Sequence, residues 1–248
     1  MHPMLKLLAS NRKKGYFRAE TAPEGESGTI YLYDMIVDSD EEAEWWGGVS
    51  PGTFARTLNA MTTPEIHLRV KSPGGSVFAA RAMEQSIREH SSRIITHIDG
   101  LAASAASFLI LPSDEIIIAP GSFIMIHKAS TLAWGNQDDL LKTANLLGQI
   151  DASLVKSYAD KTGQSSDDIA AWITAETWFE AEKAVELGFA DRVATSEKTN
   201  AMALAWDLSA FTNAPAPRVP PPGLRDAQID QPDRDAMHRA VLKRLIPA

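Results

Sequence analysis

Three stretches of this sequence carry residue types that could do acyl-transfer chemistry. The first is Gly100-Leu-Ala-Ala-Ser-Ala-Ala-Ser-Phe-Leu-Ile110, with Ser104 at its centre. The apolar run 94–98 before it reads as a buried strand, and Ala105 to Leu111 after it reads as a short helix. A serine at such a turn meets unpaired N–H groups and the positive end of a helix dipole. Small neighbours let a carbonyl approach, so the hydroxyl could attack while adjacent N–H groups hold the oxyanion. Taken alone, the same serine is more simply an N-cap. The second stretch, Ser72-Pro-Gly-Gly75, ends a strand. Paired glycines there admit positive φ and bring backbone N–H groups near a ligand, although an ordinary strand–helix connection explains them as well. The third is His127, at the end of the apolar strand 123–127. In isolation it reads as a core histidine; with a serine and an acid it would be a general base.

The elements that must position these groups alternate between strand and helix. Thr29 to Val37 is β-rich and reads as the first strand, followed by an acidic, solvated loop from Asp38 to Glu44. Ser50-Pro51 supplies an N-cap and an N1 proline for a helix bearing Phe54, Leu58 and Met61. Strand 65–70 follows, with His67 as a structural residue, and then a helix from about Val77 to His90. Beyond Ser104 come strands at 115–119 and 123–127 and, after Asn136, a long helix to about Lys161, closed by Gly163. Ser165 and Asp168 resemble a capping box for a further helix, and Ala181 to Leu187 forms one more, stopped by Gly188. This order predicts an α/β domain with largely parallel pairing.

Residues 1–27 lack periodicity and read as a loose arm. After about 195 the composition changes, and prolines at 215, 217, 220, 221 and 222 mark a stiff linker. Arg234 to Leu245 reads equally as a short basic amphipathic helix or a frayed tail. The chain of 248 residues has a net charge of −8, which argues against a nucleic-acid partner, and it has no cysteine, which removes disulfides, thiolate metal sites and cysteine nucleophiles. Its apolar runs fall short of the roughly 20 residues of a membrane span, so a soluble intracellular (cytoplasmic) protein is expected. No metal, cofactor or nucleotide site is evident.

Ser72-Pro-Gly-Gly-Ser-Val, Gly100-Leu-Ala-Ala-Ser-Ala-Ala-Ser-Phe, Met125-Ile-His127 and Ala184-Val-Glu-Leu-Gly-Phe-Ala-Asp191 follow one another in this chain. In that order they resemble the ClpP family of serine peptidases, most closely its phage and prophage branch, over roughly 29–193. The resemblance implies a ClpP/crotonase-like spiral of strand-strand-helix units at 28–195, between an N-terminal arm at 1–27 and a Pro-rich linker and C-terminal tail at 196–248. It implies Ser104 as nucleophile, His127 as base, and the N–H groups of Gly75 and Ala105 as oxyanion donors. It further implies polypeptide substrates, capsid or scaffold chains among them in head maturation, and a ring-shaped homo-oligomer assembled through the long helix. An alternative is a non-enzymatic assembly subunit with the same fold.

The acid departs from the family pattern. A gapless match from Thr162-Gly-Gln164 to Ala184-Val-Glu186 puts Glu176 where classical members carry an aspartate, and Asp151 is its rival. Ser107 is the rival nucleophile, one turn inside the helix, where neighbouring N–H groups are already used. Lys128 would be the base of a Ser–Lys peptidase, but alternation along a strand points it away from His127.

Overall fold

Period-two patterning builds the sheet in this computed structural model, which describes residues 3–22, 25–195 and 206–215. The strands are β1 (Tyr16–Thr21), β2 (Ser27–Tyr33), β3 (Glu65–Ser72), β4 (Arg93–Ala103), β5 (Glu115–Ile118), β6 (Phe123–Ile126), β7 (Thr177–Glu180) and β8 (Arg192–Val193). They pair in the order β1-β2-β3-β4-β5-β8, and β6 joins β4 to β7. All pairs are parallel except β1 with β2 and β6 with β7. In β3 the alternation is complete: Ile66, Leu68, Val70 and Ser72 are buried, while Glu65, His67, Arg69 and Lys71 lie on the other face, half-buried.

The helices are α1 (Pro3–Ser10), α2 (Asp40–Trp46), α3 (Pro51–Asn59), α4 (Val77–Glu89), α5 (Ala105–Leu109), α6 (Gln137–Thr162), α7 (Ser166–Ala175) and α8 (Ala181–Glu186). Phe54 and Leu58 of α3, Met83 and Ile87 of α4, Phe108 of α5, Leu154 and Tyr158 of α6, and Ile169 and Ile173 of α7 share one core with Ile66, Leu68 and Val70. Each such large side chain gains about 1.5–3 kcal/mol on leaving water. The expected mixed α/β fold with mainly parallel pairing is therefore the observed one.

One strand divides the sheet. Residues 95–98 of β4 pair with β5, and residues 101–103 pair with β6. The division falls at Gly100, which has φ of +114° and donates its N–H to the Ser122 hydroxyl at 2.8 Å. Because β4 forks there, the end of β4 and the end of β6 lie side by side, with Ala103 paired to Met125.

The structure corrects several sequence expectations. The described residues of the expected loose arm at 1–27 instead include α1 and β1, and β1 is an edge strand of the sheet. The first long strand ends at Tyr33, and Ile36 makes isolated bridges to Val49 and Gly75. The acidic run is a helix, α2, because the Ser39 hydroxyl accepts from the Glu42 N–H and three carboxylates occupy the first turn, where the dipole favours them. β4 continues through Gly100 to Ala103 where a turn is expected. The short strands β7 and β8 have no expectation behind them. Most of the Pro-rich linker and the segment 234–245 lie outside the described residues.

Gly74 is the tightest joint between sheet and turn. Its φ is +91°, and a Cβ there would lie 2.6 Å from the Ala103 carbonyl oxygen and 2.8 Å from the Ser104 Cβ. Gly74→Ala should therefore cost about 1–3 kcal/mol from the left-handed backbone alone, read as a lower urea midpoint at unchanged m-value.

Candidate active site

Ser104 follows β4 directly and has φ of +53° and ψ of −123°, backbone that a non-glycine residue rarely adopts. Three bonds hold it there. Its N–H donates to the Met125 carbonyl at 2.9 Å, and its own carbonyl accepts from the Ser107 N–H at 2.9 Å and the Ser107 hydroxyl at 2.6 Å. The side chain makes no capping bond; the Ser104 Oγ lies 2.7 Å from His127 Nε2. The N-cap reading is thus not the one the molecule adopts. A neutral imidazole that accepts from the hydroxyl at Nε2 carries its own proton on Nδ1. Lys128, beside it, is exposed.

Ser107 is buried, bonded to the Ser104 carbonyl and 2.6 Å from the Tyr158 hydroxyl, so it supports the turn. Gly75 lines the same cleft as Ser104 and His127. Its position is fixed from behind: Ile36 donates its N–H to the Gly74 carbonyl at 2.9 Å and accepts from the Ser76 N–H at 2.9 Å. A Cβ on Gly75 would overlap the Ile36 carbonyl oxygen, and its φ is +149°. Ala105 opens α5, where an N–H has no acceptor within the helix.

The two carboxylates take different places. One step beyond the last β6–β7 pair, Ile126 with Thr177, stand His127 and Glu176. Glu176 terminates α7 in left-handed backbone, φ +51°. Its carboxylate accepts from the Thr212 N–H at 3.0 Å, the Asn213 N–H at 2.6 Å and the Trp178 indole N–H at 3.4 Å. Asp151, on α6, accepts from the Ala129 N–H at 2.9 Å and so ties down the chain just after His127. Among the described residues, no hydrogen bond joins either carboxylate to the imidazole. Burial pushes the His127 imidazole below its ordinary value, and the negative charges of Glu176 and Asp151 pull the other way.

The structure thus brings Ser104, His127, Gly75 and Ala105 together, and sets Glu176 beside the group without bonding it to the base. It adds neighbours without an expectation behind them. Met4 and Leu7 of α1, with Ala210 and Phe211, line the cleft. Phe211 meets the His127 ring edge-on, centroids 5.6 Å apart, and the Trp178 ring at 5.8 Å. The apolar spacing of Trp206, Leu208 and Phe211, just ahead of the prolines, is the signal that could have marked this segment.

The adjacent ends of β4 and β6 in this mixed α/β sheet define a scaffold that presents a serine and a histidine together. Within it, residues 56–197 match the family model described as Clp protease. The ATP-dependent Clp protease proteolytic subunit 2 of Corynebacterium efficiens is 33% identical over 136 residues, covering 54% of this chain and 68% of the relative. Subunit 1 of Corynebacterium jeikeium is 33% identical over 138 residues, 55% of this chain and 73% of the relative. The proteolytic subunit of Bacteroides fragilis is 32% identical over 131 residues, 52% and 63% respectively. The chain belongs to the Clp protease family. No helix among the described residues is long and apolar enough to cross a membrane.

The direction of the His127 shift sets a pH dependence. An imidazole held below its ordinary value of about 6.5 stays neutral to lower pH, and only the neutral form accepts the serine proton. The rate of fluorophosphonate labelling at Ser104 should therefore fall to half its plateau below pH 6.5.

Proposed function

We propose that the protein is a Clp-like serine endopeptidase that cleaves polypeptides by a Ser-His-acid mechanism. The observation that carries this reading is the 2.7 Å contact between Ser104 Oγ and His127 Nε2 at a strained strand-to-helix turn. In the proposed cycle His127 takes the Ser104 proton as the hydroxyl attacks the carbonyl carbon. The oxyanion is held by the N–H groups of Gly75 and Ala105, and the imidazolium returns the proton to the leaving amine. Water then repeats the sequence on the acyl-enzyme. Glu176 is the acid of this scheme, because strand register sets it level with His127 and its charge acts on the ring more strongly than that of Asp151. Asp151 has a separate task in holding Ala129.

The resemblance of the motif set to the phage and prophage branch supports head maturation as the setting, with capsid or scaffold chains as substrates in the host cytoplasm. Co-assembly would deliver such chains without an unfolding ATPase, so peptide cleavage would need no nucleotide. A ring-shaped homo-oligomer is proposed from the family and from α6, whose Leu140, Leu141 and Leu146 are exposed. A helix with apolar residues off its core-facing stripe needs a further surface to cover them.

Ser104→Ala should abolish hydrolysis of candidate capsid or scaffold chains, and of unfolded polypeptide, while circular dichroism stays native; retained activity would defeat the reading. Glu176→Gln should lower turnover by roughly 10²–10⁴-fold, because an amide neither fixes the tautomer nor stabilises imidazolium. Asp151→Asn keeps an oxygen for the Ala129 N–H and should change turnover little. Steady-state kinetics on the two variants separates these roles, and the reverse ranking would transfer the acid to Asp151.

A further inference from the structure

The segment Trp206–Asn213 lies across the candidate active site, and its seat is built by residues from both ends of the described chain. Asn11, fully buried, receives the Asp207 N–H on its side-chain oxygen at 2.7 Å and donates its amide to the Asp207 carbonyl at 2.9 Å. That pair of bonds imitates one rung of a β-ladder. Lys6 of α1 donates to the Ser209 carbonyl at 2.5 Å. Trp206, Ala210 and Phe211 pack with Leu7 and Leu8 of α1, and Trp206, Leu208 and Phe211 also pack on Leu101, Ala103 and Met125, at the ends of β4 and β6. At the far end Thr212 and Asn213 give both their N–H groups to the Glu176 carboxylate, and the Asn213 side chain donates to the Ala175 carbonyl at 2.8 Å. α1 and the segment both lie outside the stretch 56–197 that the family model covers.

We propose that Trp206–Asn213, seated by α1, is an intramolecular strap that closes the Ser104–His127 cleft to polypeptide and keeps Glu176 off the imidazole. This rests on the peptidase reading and adds its regulation. An acyl group on Ser104 Oγ with its oxygen toward the Gly75 N–H enters the cleft that Ala210 and Phe211 line. An extended chain entering there meets the Phe211 ring, wedged between His127 and Trp178. The Glu176 carboxylate meanwhile accepts from two strap amides, and His127 Nδ1 has no hydrogen-bond acceptor among the described residues. One displacement, the lifting of the strap, would therefore clear the cleft and release the acid together. Thr212 and Asn213 are exposed, so this end is the accessible place to begin it.

The test uses the full chain and two substitutions in the strap, neither in the proposed catalytic machinery. Phe211→Ala removes the wedge. Asn213→Pro removes the N–H that donates to Glu176 at an exposed position. A site open only in a fraction of molecules reacts in proportion to that fraction, so freeing the strap should raise fluorophosphonate labelling of Ser104 by about tenfold or more. Near-ultraviolet circular dichroism checks that each variant is folded, and either folded variant suffices. Labelling at the parental rate or slower would overturn the strap while leaving the peptidase reading intact. Absence of labelling in every form would instead strike the peptidase reading, and the strap would then be judged on the imidazole. With Glu176 and Asp151 the two charged groups acting on that ring, release of Glu176 should raise the His127 titration midpoint by NMR by about one pH unit. An unchanged midpoint in Asn213→Pro would overturn the strap on that second ground.

Discussion

The backbone at Ser104 is the constraint on which the rest depends. A non-glycine residue at φ +53° and ψ −123° stores strain of about 1–3 kcal/mol, and it persists only where the surroundings leave no other path. Here the surroundings are small and buried. Ala102 and Ala103 precede the serine, Ala105 and Ala106 follow it, and all four are essentially inaccessible. Gly74 approaches the backbone of this turn, where a Cβ would lie 2.6 Å from the Ala103 carbonyl oxygen, and so brings the Ser72–Gly75 stretch against it. Phe108 and Leu109 then anchor α5 in the core, so hydrophobic burial offsets the strain one turn away from where it is held. The hydroxyl is left unused by the helix and available to His127.

The fork in β4 needs support from the opposite face of the sheet, and a polar layer supplies it. Arg69 makes a two-pronged contact with Asp99, at 2.8 and 2.6 Å, and the Tyr33 hydroxyl donates to the same carboxylate at 2.5 Å. Asp99 immediately precedes Gly100, so this network clamps the strand where its pairing changes partner. Beside it the rings of His67 and His97 meet at 3.0 Å through Nδ1 and Nε2. Burial, with Arg69 and His67 adding to it, depresses His97 to about 4. Its neutral form is therefore favoured in the folded chain, and the stability this lends is lost as pH falls below the unfolded value of about 6.5 toward 4.

What the sequence made legible was local. Alternation in 65–70, helical spacing in 77–89, the stop at Gly163 and the small residues around Ser104 each carry their structure within a few positions. The family motifs added the pairing of Ser104 with His127, which no local pattern contains. Gly100 misled because a glycine inside a strand reads as a turn, whereas sideways pairing to Ser122 and β6 absorbs it. The run Ser39-Asp-Glu-Glu42 did hold a helix signal, an N-cap before acidic first-turn residues, which its charge density obscured. The seat of Trp206–Asn213 was beyond reach for a different reason. It depends on Asn11 meeting Asp207, 196 positions away, and nothing in either neighbourhood announces the other.

In the proposed strap, Glu176 would link chemistry to access through one scarce resource, the lone pairs of a single carboxylate beside the His127 imidazole. A desolvated imidazole is a poor proton acceptor unless a negative charge lies near enough to stabilise the imidazolium it becomes. Glu176 is level with that base by strand register, in left-handed backbone that directs the chain sharply from α7 into β7. Its oxygens are committed to the amides of Thr212 and Asn213. Both residues are exposed, so in the proposed opening those amides would turn to water. In the proposed open state the carboxylate would turn to the Nδ1–H of His127, exchanging neutral donors for one that becomes charged during catalysis, and bonds to charged groups are the stronger. Under this proposal the cost of opening the cleft would be partly offset by the bond that readies the base.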